Sequence, residues 1–193
     1  MQKKIGVLAL QGDFEAHQKM TQSVGADAVQ VRKPSELEGL HGLIIPGGES
    51  TTLIKLMRAF AMDDAIKAFY DKGGAIFGTC AGSILVAKTI VNSPQFRFGL
   101  IDITVERNGY GRQVDSFEKD ITIPVLGEKS VHAVFIRAPR IVAAGPATEI
   151  LSSVGENILA ARSGRVLVCT FHPEITDDAR MHHYFVEKVV GTK

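Results

Sequence analysis

Cysteine is scarce in this chain. Two in 193 residues, Cys80 and Cys169, are too few for a disulfide framework, which excludes the stapled secreted scaffolds and makes a reducing cytoplasm the expected compartment. Long apolar runs are missing too: no stretch approaches the roughly 20 residues that span a bilayer. The opening MQKKIGVLALQGD has two lysines and a short apolar run but no small-residue cleavage site, so a first β-strand is expected there rather than a secretion signal. Neither sign of charge dominates. Lys and Arg number 22 against 21 Asp and Glu, net +1, without blocks of one sign, which argues against nucleic acid or an anionic membrane as the main partner. No internal repeat, low-complexity tract or linker divides the sequence, and one domain over residues 1–193 is expected.

What is present is ordinary globular composition, 45% hydrophobic and 22% charged, arranged as short apolar runs alternating with amphipathic stretches. IGVLAL (5–10) reads as a strand buried on both faces, and DAVQV (27–31), GLIIP (42–46) and AIFGT (75–79) read as the next strands. Between them, Asp13 can cap a helix through FEAHQKMTQSV that Gly25 stops. Ser50 or Thr51 can open another through LIKLMRAF. MDDAIKAFYDKG fits a third, and AGSILVAKTI is expected to continue as a helix after AIFGT. This β-α-β-α order implies a parallel sheet covered on both faces. The middle differs: LIDITVER, DITIPVL, HAVFIRAP, EILSSV, NILAARSG and RVLVCTF are strand-like pieces joined by turns, predicting antiparallel strands attached to the parallel core. A last helix, about Asp177 to Val190, closes the chain.

Within this frame one stretch is unusual. In AIFGTCAGSI a lone thiol sits at a strand-to-helix junction with glycine two residues to either side, Gly78 and Gly82. Gly-x-Cys-x-Gly there matches a nucleophile elbow, a turn tight enough to need small neighbours that leaves the thiol at the carboxyl edge of the sheet. The helix that follows offers unpaired N–H groups and a positive dipole end, which favour a thiolate and an adjacent oxyanion. A small buried residue in a tight turn would look the same in the pentapeptide alone. Cys169, inside VLVCTF without nearby glycines, reads as core.

A thiol nucleophile needs a base. His172 follows the strand RVLVCTF directly, in FHPE. Pro173 biases it toward extended backbone, where residues i and i+2 share a face, so Glu174 can hold one imidazole nitrogen and leave the other for Cys80. A strand-end His-Pro turn with a solvent-facing Glu is the plain alternative. His17, His41, His132, His182 and His183 show no such partner in the sequence. Adjacent His182 and His183 do not share a helix face, and no Cys/His set has zinc spacing, so no metal is expected. The second glycine loop, IIPGGESTT, permits close approach of main-chain N–H groups to a ligand at Gly47-Gly48. It lacks the Gly-Lys-Ser/Thr ending of a P-loop and is as suited to an oxyanion as to a phosphate.

Pro-Gly-Gly-Glu-Ser, Gly-Thr-Cys-Ala-Gly and Phe-His-Pro-Glu, in that order, resemble the class I, triad-type glutamine amidotransferases. LALQGDFEAH, PGGESTT, FGTCAGSILVAK, VERNGYGRQVDSF, VFIRAP and FHPEITDDARMHHYF are similar to the glutaminase subunits of the two-component pyridoxal 5′-phosphate synthases, over nearly the whole chain. GTCAG and HPE are common to the wider class; the segment around VERNGYGRQVDSF and FIRAP point to the vitamin B6 branch. The resemblance implies an α/β fold: a three-layer, flavodoxin-like architecture with a mixed, mostly parallel central sheet and added antiparallel strands.

It also implies roles. Cys80 would be the nucleophile, His172 the general base and Glu174 its orienter, acting on L-glutamine through a γ-glutamyl thioester. The oxyanion donors would come from Ala81 and the Gly47-Gly48 loop, where losing one donor commonly costs about 10²–10³ in rate. Gly48, Glu49, Ser50, Arg107, Ile136 and Arg137 would surround the substrate, with Arg107 suited to a carboxylate through its forked donors and Glu49 to the ammonium. Gln11, in the loop after the first strand, would lie near the site or the partner surface. No cofactor is expected. Ammonia would pass to a synthase partner, in family assemblies of twelve synthase and twelve glutaminase chains, with the glutaminase weak until docked.

Two other readings use the same residues. A cysteine peptidase or small-molecule hydrolase of similar architecture keeps the thiol and the histidine, but a pocket offering both Glu49 and Arg107 to free α-groups argues against a peptide substrate. A non-enzymatic phosphate-binding module would use only the PGGEST loop and would be indifferent to Cys80→Ala.

Overall fold

The structure, a computed structural model, describes residues 2–107, 109 and 116–191. Most of the VERNGYGRQVDSF segment, residues 108 and 110–115, lies outside them. The first half runs β1 (Lys4–Leu8), α1 (Phe14–Ser23), β2 (Asp27–Val31), β3 (Gly42–Ile45), α2 (Ser50–Ala59), α3 (Met62–Asp71), β4 (Ala75–Thr79) and α4 (Ala81–Val86). The second half is mainly strand: β5 (Ala87–Ile90), β6 (Ile101–Glu106), β7 (Ser116–Ile121), β8 (Val131–Ile136), β9 (Arg140–Ala144), β10 (Glu149–Val154), β11 (Asn157–Ser163) and β12 (Val166–Cys169). A short α5 (Arg180–Tyr184) then passes into a π-helical turn, Phe185–Val189.

The central sheet has the order β2-β1-β3-β4-β12-β11-β9-β6-β5, with β10 on β11. β2, β1, β3, β4 and β12 are mutually parallel, and β11, β9 and β6 extend the sheet by antiparallel pairing. Alternate residues of the inner parallel strands β1, β3, β4 and β12 enter opposite cores. Leu8, Leu43, Ile45, Ile76, Val166 and Val168 face α2, α3 and α4 residues such as Leu53, Met57, Ile66 and Leu85. Ile5, Val7, Ile44, Phe77 and Leu167 face Met181, Phe185 and the β7–β8 hairpin residues Val131, Ala133 and Phe135. Burial on both sides is why these strands read as unbroken apolar runs. Their carboxyl ends, where ligands bind in open parallel sheets, converge in the loops carrying Gln11, Gly47, Cys80 and His172.

Several expectations need correction. The helix expected over AGSILVAKTI stops at Val86, and Ala87–Ile90 turns into a strand parallel to β6. β-branched Thr89 and Ile90 suit that pairing, and Ala87 and Ile90 bury into the core it offers. RVLVCTF is not an appended antiparallel strand: β12 lies inside the parallel core, paired with β4. In DITIPVL the strand ends at Ile121 and Pro124 opens a 3-10 turn, because proline cannot donate to a ladder. β9, unmarked between Pro139 and Pro146, bridges β6 and β11. α1 is capped by Asp13 as expected, but α2 is capped by Glu49, whose side chain accepts from the Thr51 and Thr52 N–H groups.

Candidate active site

β4 ends at Thr79 and α4 begins at Ala81, so Cys80 alone makes the turn, at φ 47° and ψ −111°. That region is nearly exclusive to glycine, and holding a side chain there stores on the order of 1–3 kcal/mol of strain. The surrounding backbone holds it in place. Cys80 N–H donates to the Cys169 carbonyl at 2.9 Å, and its own carbonyl accepts from Ser83 N–H at 3.0 Å and Ser83 Oγ at 2.6 Å. The flanking glycines let the first turn of α4 rest on the sheet. A Cβ at Gly78 would lie 2.7 Å from the Gly82 backbone, and one at Gly82 would collide with the Ile45 carbonyl oxygen.

His172 comes from the end of the neighbouring strand, and its N–H donates to the Val134 carbonyl at 2.9 Å, tying the His-Pro-Glu segment to the hairpin. Its Nδ1 is 2.7 Å from Glu174 Oε1, while the ring and Cys80 pack against the same face of Gly47 and the thiol itself points at the Ile136 carbonyl at 3.8 Å. Burial works against a charged imidazole here, but the hydrogen bonds to Cys80 and Glu174 and the charges of both outweigh it, raising the His172 pKa to about 10. Thiol, imidazole and carboxylate thus stand in series, the arrangement that transfers a thiol proton to a histidine and keeps it there as imidazolium. Cys169 is different. Burial first, then the charges of Glu174 and Cys80, push its thiol well up, which leaves it an inert core residue.

A pocket of about 340 Å³ opens onto this series. Cys80, Ala81, His172, Gly48, Glu49 and Ser50 line one part of it. Gln11, Ile84, Arg107, Ile136, Arg137 and Pro139 line the rest. Of the residues singled out in the sequence, Glu174 and Gly47 lie just behind the wall. Glu174 is buried behind His172, and Gly47 is pressed so close that a Cβ there would sit 2.6 Å from His172 Cε1 and 3.1 Å from Cys80 Cβ. A larger hollow of about 550 Å³, between the 3-10 turn Pro34–Leu37 and α3, carries neither cysteine nor histidine.

The pocket's charged pair is already engaged. Arg107 Nη2 lies 3.7 Å from Glu49 Oε1. Glu49 also accepts from the Thr51 hydroxyl, from Thr52 N–H at 2.8 Å and from Thr52 Oγ1 at 2.9 Å. The Thr51 hydroxyl first, then the amides of Thr52 and Thr51 against some desolvation, lower its pKa to about 2. Gln11 holds the loop from the other side, its Oε1 accepting from Glu49 N–H at 2.9 Å.

His17 and His182, without an evident partner in the sequence, find one in the fold. His17 and His182 are fully buried, with His17 Nδ1 2.9 Å from His182 Nε2. His17 Nε2 lies 3.0 Å from Thr79 Oγ1 and 3.2 Å from Glu174 Oε2. Burial first, then the charges of His182 and His172, holds His17 well below the usual histidine range, and burial lowers His182 to about 3. The signal was legible: Phe14, His17, Thr21 and Val24 share one helical face. Among the described residues no group of three or more His, Cys, Asp or Glu is arranged to hold a metal ion, and no helix is long and apolar enough to cross a membrane.

Comparison with known proteins finds relatives over nearly the whole chain. A pyridoxal 5′-phosphate synthase subunit PdxT from Pelotomaculum thermopropionicum is 55% identical over 187 residues, 97% of this chain and 95% of that protein. The subunit of the same name from Thermotoga maritima is 47% identical over 186 residues, covering 96% and 99%. A crystal structure of a glutamine amidotransferase, 48% identical, superposes with a TM-score of 0.88 over 95% of this chain and 97% of that one. PurLQS from Thermotoga maritima, at 15% identity and a TM-score of 0.67 over 96% of each chain, shares the fold. The family model of the SNO glutamine amidotransferases matches residues 7–191, and with the Cys-His-Glu series seated at the sheet edge, the chain belongs to that SNO glutamine amidotransferase family.

Proposed function

We propose that this chain is the glutaminase subunit of a pyridoxal 5′-phosphate synthase, hydrolysing L-glutamine to L-glutamate and supplying the ammonia to a synthase partner. The observation that carries the reading is the 2.7 Å pair of His172 Nδ1 and Glu174 Oε1 beside the Cys80 turn, opening onto a pocket that also holds Arg107 and Glu49.

The chemistry follows from that series. Cys80 Sγ, its proton taken by His172, attacks the carboxamide carbon of glutamine. The resulting oxyanion is met by the N–H of Ala81, which no earlier helical turn can pair, and by N–H groups of the Gly47-Gly48 loop. His172 then protonates the departing nitrogen, ammonia leaves, and a γ-glutamyl thioester remains. A water gives one proton to His172 and attacks the thioester carbon; collapse expels the thiolate and yields glutamate. Glu174 keeps the imidazole oriented and its charge balanced throughout.

In this reading Arg107 exchanges Glu49 for the substrate α-carboxylate, while Gly48, Ser50, Ile136 and Arg137 complete the enclosure and Glu49 faces the ammonium. The whole chain acts as one domain, needs no organic cofactor or metal of its own, and works in the cytoplasm. Its assembly with the synthase follows the family's twelve-plus-twelve arrangement. The test is glutamate release by the purified chain, alone and with the synthase subunit of a relative. Release that requires Cys80, and that rises on adding the synthase, supports the proposal; no release in either condition overturns it.

A further inference from the structure

The series described so far ends at Glu174, whose Oε1 meets His172. Its other oxygen, Oε2, is buried and makes no hydrogen bond. A bare carboxylate oxygen in a dry interior is costly unless a positive dipole faces it. The polar group beside it is His17 Nε2, 3.2 Å away. What that nitrogen carries depends on how protons are shared along the pair of rings.

One proton lies between His17 Nδ1 and His182 Nε2, which are 2.9 Å apart. If it belongs to His182 Nε2, His17 Nδ1 accepts and a neutral His17 carries its own proton on Nε2. That N–H then bonds Thr79 Oγ1 and presents its positive end to Glu174 Oε2, 3.2 Å away, while the lone pair of His182 Nδ1 is left without a partner. If it belongs to His17 Nδ1 instead, the Nε2 lone pair faces the carboxylate and His182 Nδ1–H is a buried donor without an acceptor. The second arrangement sets two electron-rich atoms against each other and strands a donor as well, so the first is favoured. Both rings and the Glu174 side chain are shielded from water, so no solvent relieves the choice.

We propose that His17, locked by His182 as its Nε2–H tautomer, is a positioning residue for Glu174: it holds the second carboxylate oxygen so that the first stays aimed at His172. The same N–H meets Thr79, the residue before Cys80, so one imidazole joins the base of the nucleophile turn to the far end of the triad. The proposal rests on Cys80, His172 and Glu174 acting as that triad. His17 touches no substrate and acts through Glu174 alone. The titratable groups facing Glu174 are His172 on its own segment, His17 from α1 and Cys169 from β12. Cys80 reaches it through His172, and His182 of α5 through His17.

The test has two arms. In the first, nitrogen NMR of the wild-type chain labelled in histidine reads the tautomers between pH 6 and 8, with assignments from single substitutions. His17 and His182 protonated on Nε2 only are expected; His17 protonated on Nδ1, or on both nitrogens, overturns the proposal. In the second, His17→Leu removes the donor, whereas His17→Gln keeps an N–H near the Nε2 position. Glutamine turnover with the synthase present and the pH profile of Cys80 alkylation are measured for each. Misplacing an oriented group typically costs about 10²-fold. The expected result for His17→Leu is therefore a loss of about 10- to 100-fold in kcat with KM within about threefold, and an acid limb of alkylation moved upward as a misaimed Glu174 supports the His172 imidazolium less. His17→Gln recovers most of both. A folded His17→Leu with wild-type rate and limb, or a His17→Gln as impaired as His17→Leu, overturns the proposal. If His17→Leu does not fold, the tautomers of the wild type decide alone. If the wild type hydrolyses no glutamine, the function fails, while tautomers and alkylation still decide the role of His17.

Discussion

The amide of Cys80 donates to the carbonyl of Cys169 at 2.9 Å, one step beyond the last β4–β12 pair, Thr79 with Cys169. The strand that ends at the thiol and the strand that leads to His172 are therefore registered by main-chain bonds. Thiol and imidazole meet because two parallel strands are adjacent, and side-chain chemistry is added to a position the backbone already fixes.

Removing the thiol should thus abolish turnover without loss of fold. Cys80→Ala and Cys80→Gly are both expected to be inactive, but not equally stable. At φ 47° and ψ −111° alanine keeps the strain that glycine relieves, so Cys80→Gly should exceed Cys80→Ala in stability by about 1–2 kcal/mol. Equal denaturation midpoints for the two would contradict the strained turn.

Two glycines near the thiol should fail in different ways. A methyl at Gly47 meets His172 and Cys80 side chains, whereas one at Gly82 meets the Ile45 backbone. Gly47→Ala should therefore fold and lose about 10²-fold in kcat by displacing the imidazole. Gly82→Ala should lose at least about 2 kcal/mol of stability by forcing α4 off the sheet. Unfolding curves measured beside turnover distinguish the two.

Acid should destabilise the fold through its buried histidines. With its pKa lowered by burial to about 3, His182 stays neutral in the fold at pH values where the unfolded chain, near 6.5, already binds a proton. Its contribution is complete above about pH 6.5 and declines as pH falls toward 3. His172, raised to about 10, acts in the opposite sense, so a difference measurement is needed. The stability gap between pH 7.5 and 5.5 should be smaller in His182→Phe than in the wild type by about 1.4 kcal/mol. An unchanged gap would mean that His182 is charged in the fold.

Glu49 serves both a helix and the pocket. Glu49→Ala should lose about 1 kcal/mol through the missing cap of α2 and raise KM for glutamine. Because the Glu49 pKa is lowered from 4.5 to about 2, chiefly by the Thr51 hydroxyl, the stability deficit should be full at pH 7 and shrink as pH falls from about 4.5 toward 2. Arg107→Lys keeps the charge but not the fork, and is expected to raise KM about tenfold with kcat little changed. A KM unmoved by both substitutions would remove this pair from the substrate site.

The sequence by itself determined the parallel half of the fold and the residues at its edge. AIFGT coincides with β4 because a strand buried on both faces must be apolar throughout, and DAVQV coincides with β2, the half-buried edge strand. Gly78, Cys80 and Gly82 announce their turn because no larger residues fit it. His172 and Glu174 do meet, though across a turn at Pro173 and Glu174 rather than along the extended backbone expected there. Local sterics settle such features within a few residues.

Tertiary structure decided the rest. Nothing local in AKTI outweighs helix continuation until β6 offers a partner and a core for Ala87 and Ile90. β12 could join the parallel core only once β4 stood beside it. The meeting of His17 with His182, 165 residues apart in sequence, depends on α1 and α5 packing together. Strand partners and long-range side-chain contacts depend on which surfaces remain to be buried, a property of the whole chain rather than of any one segment.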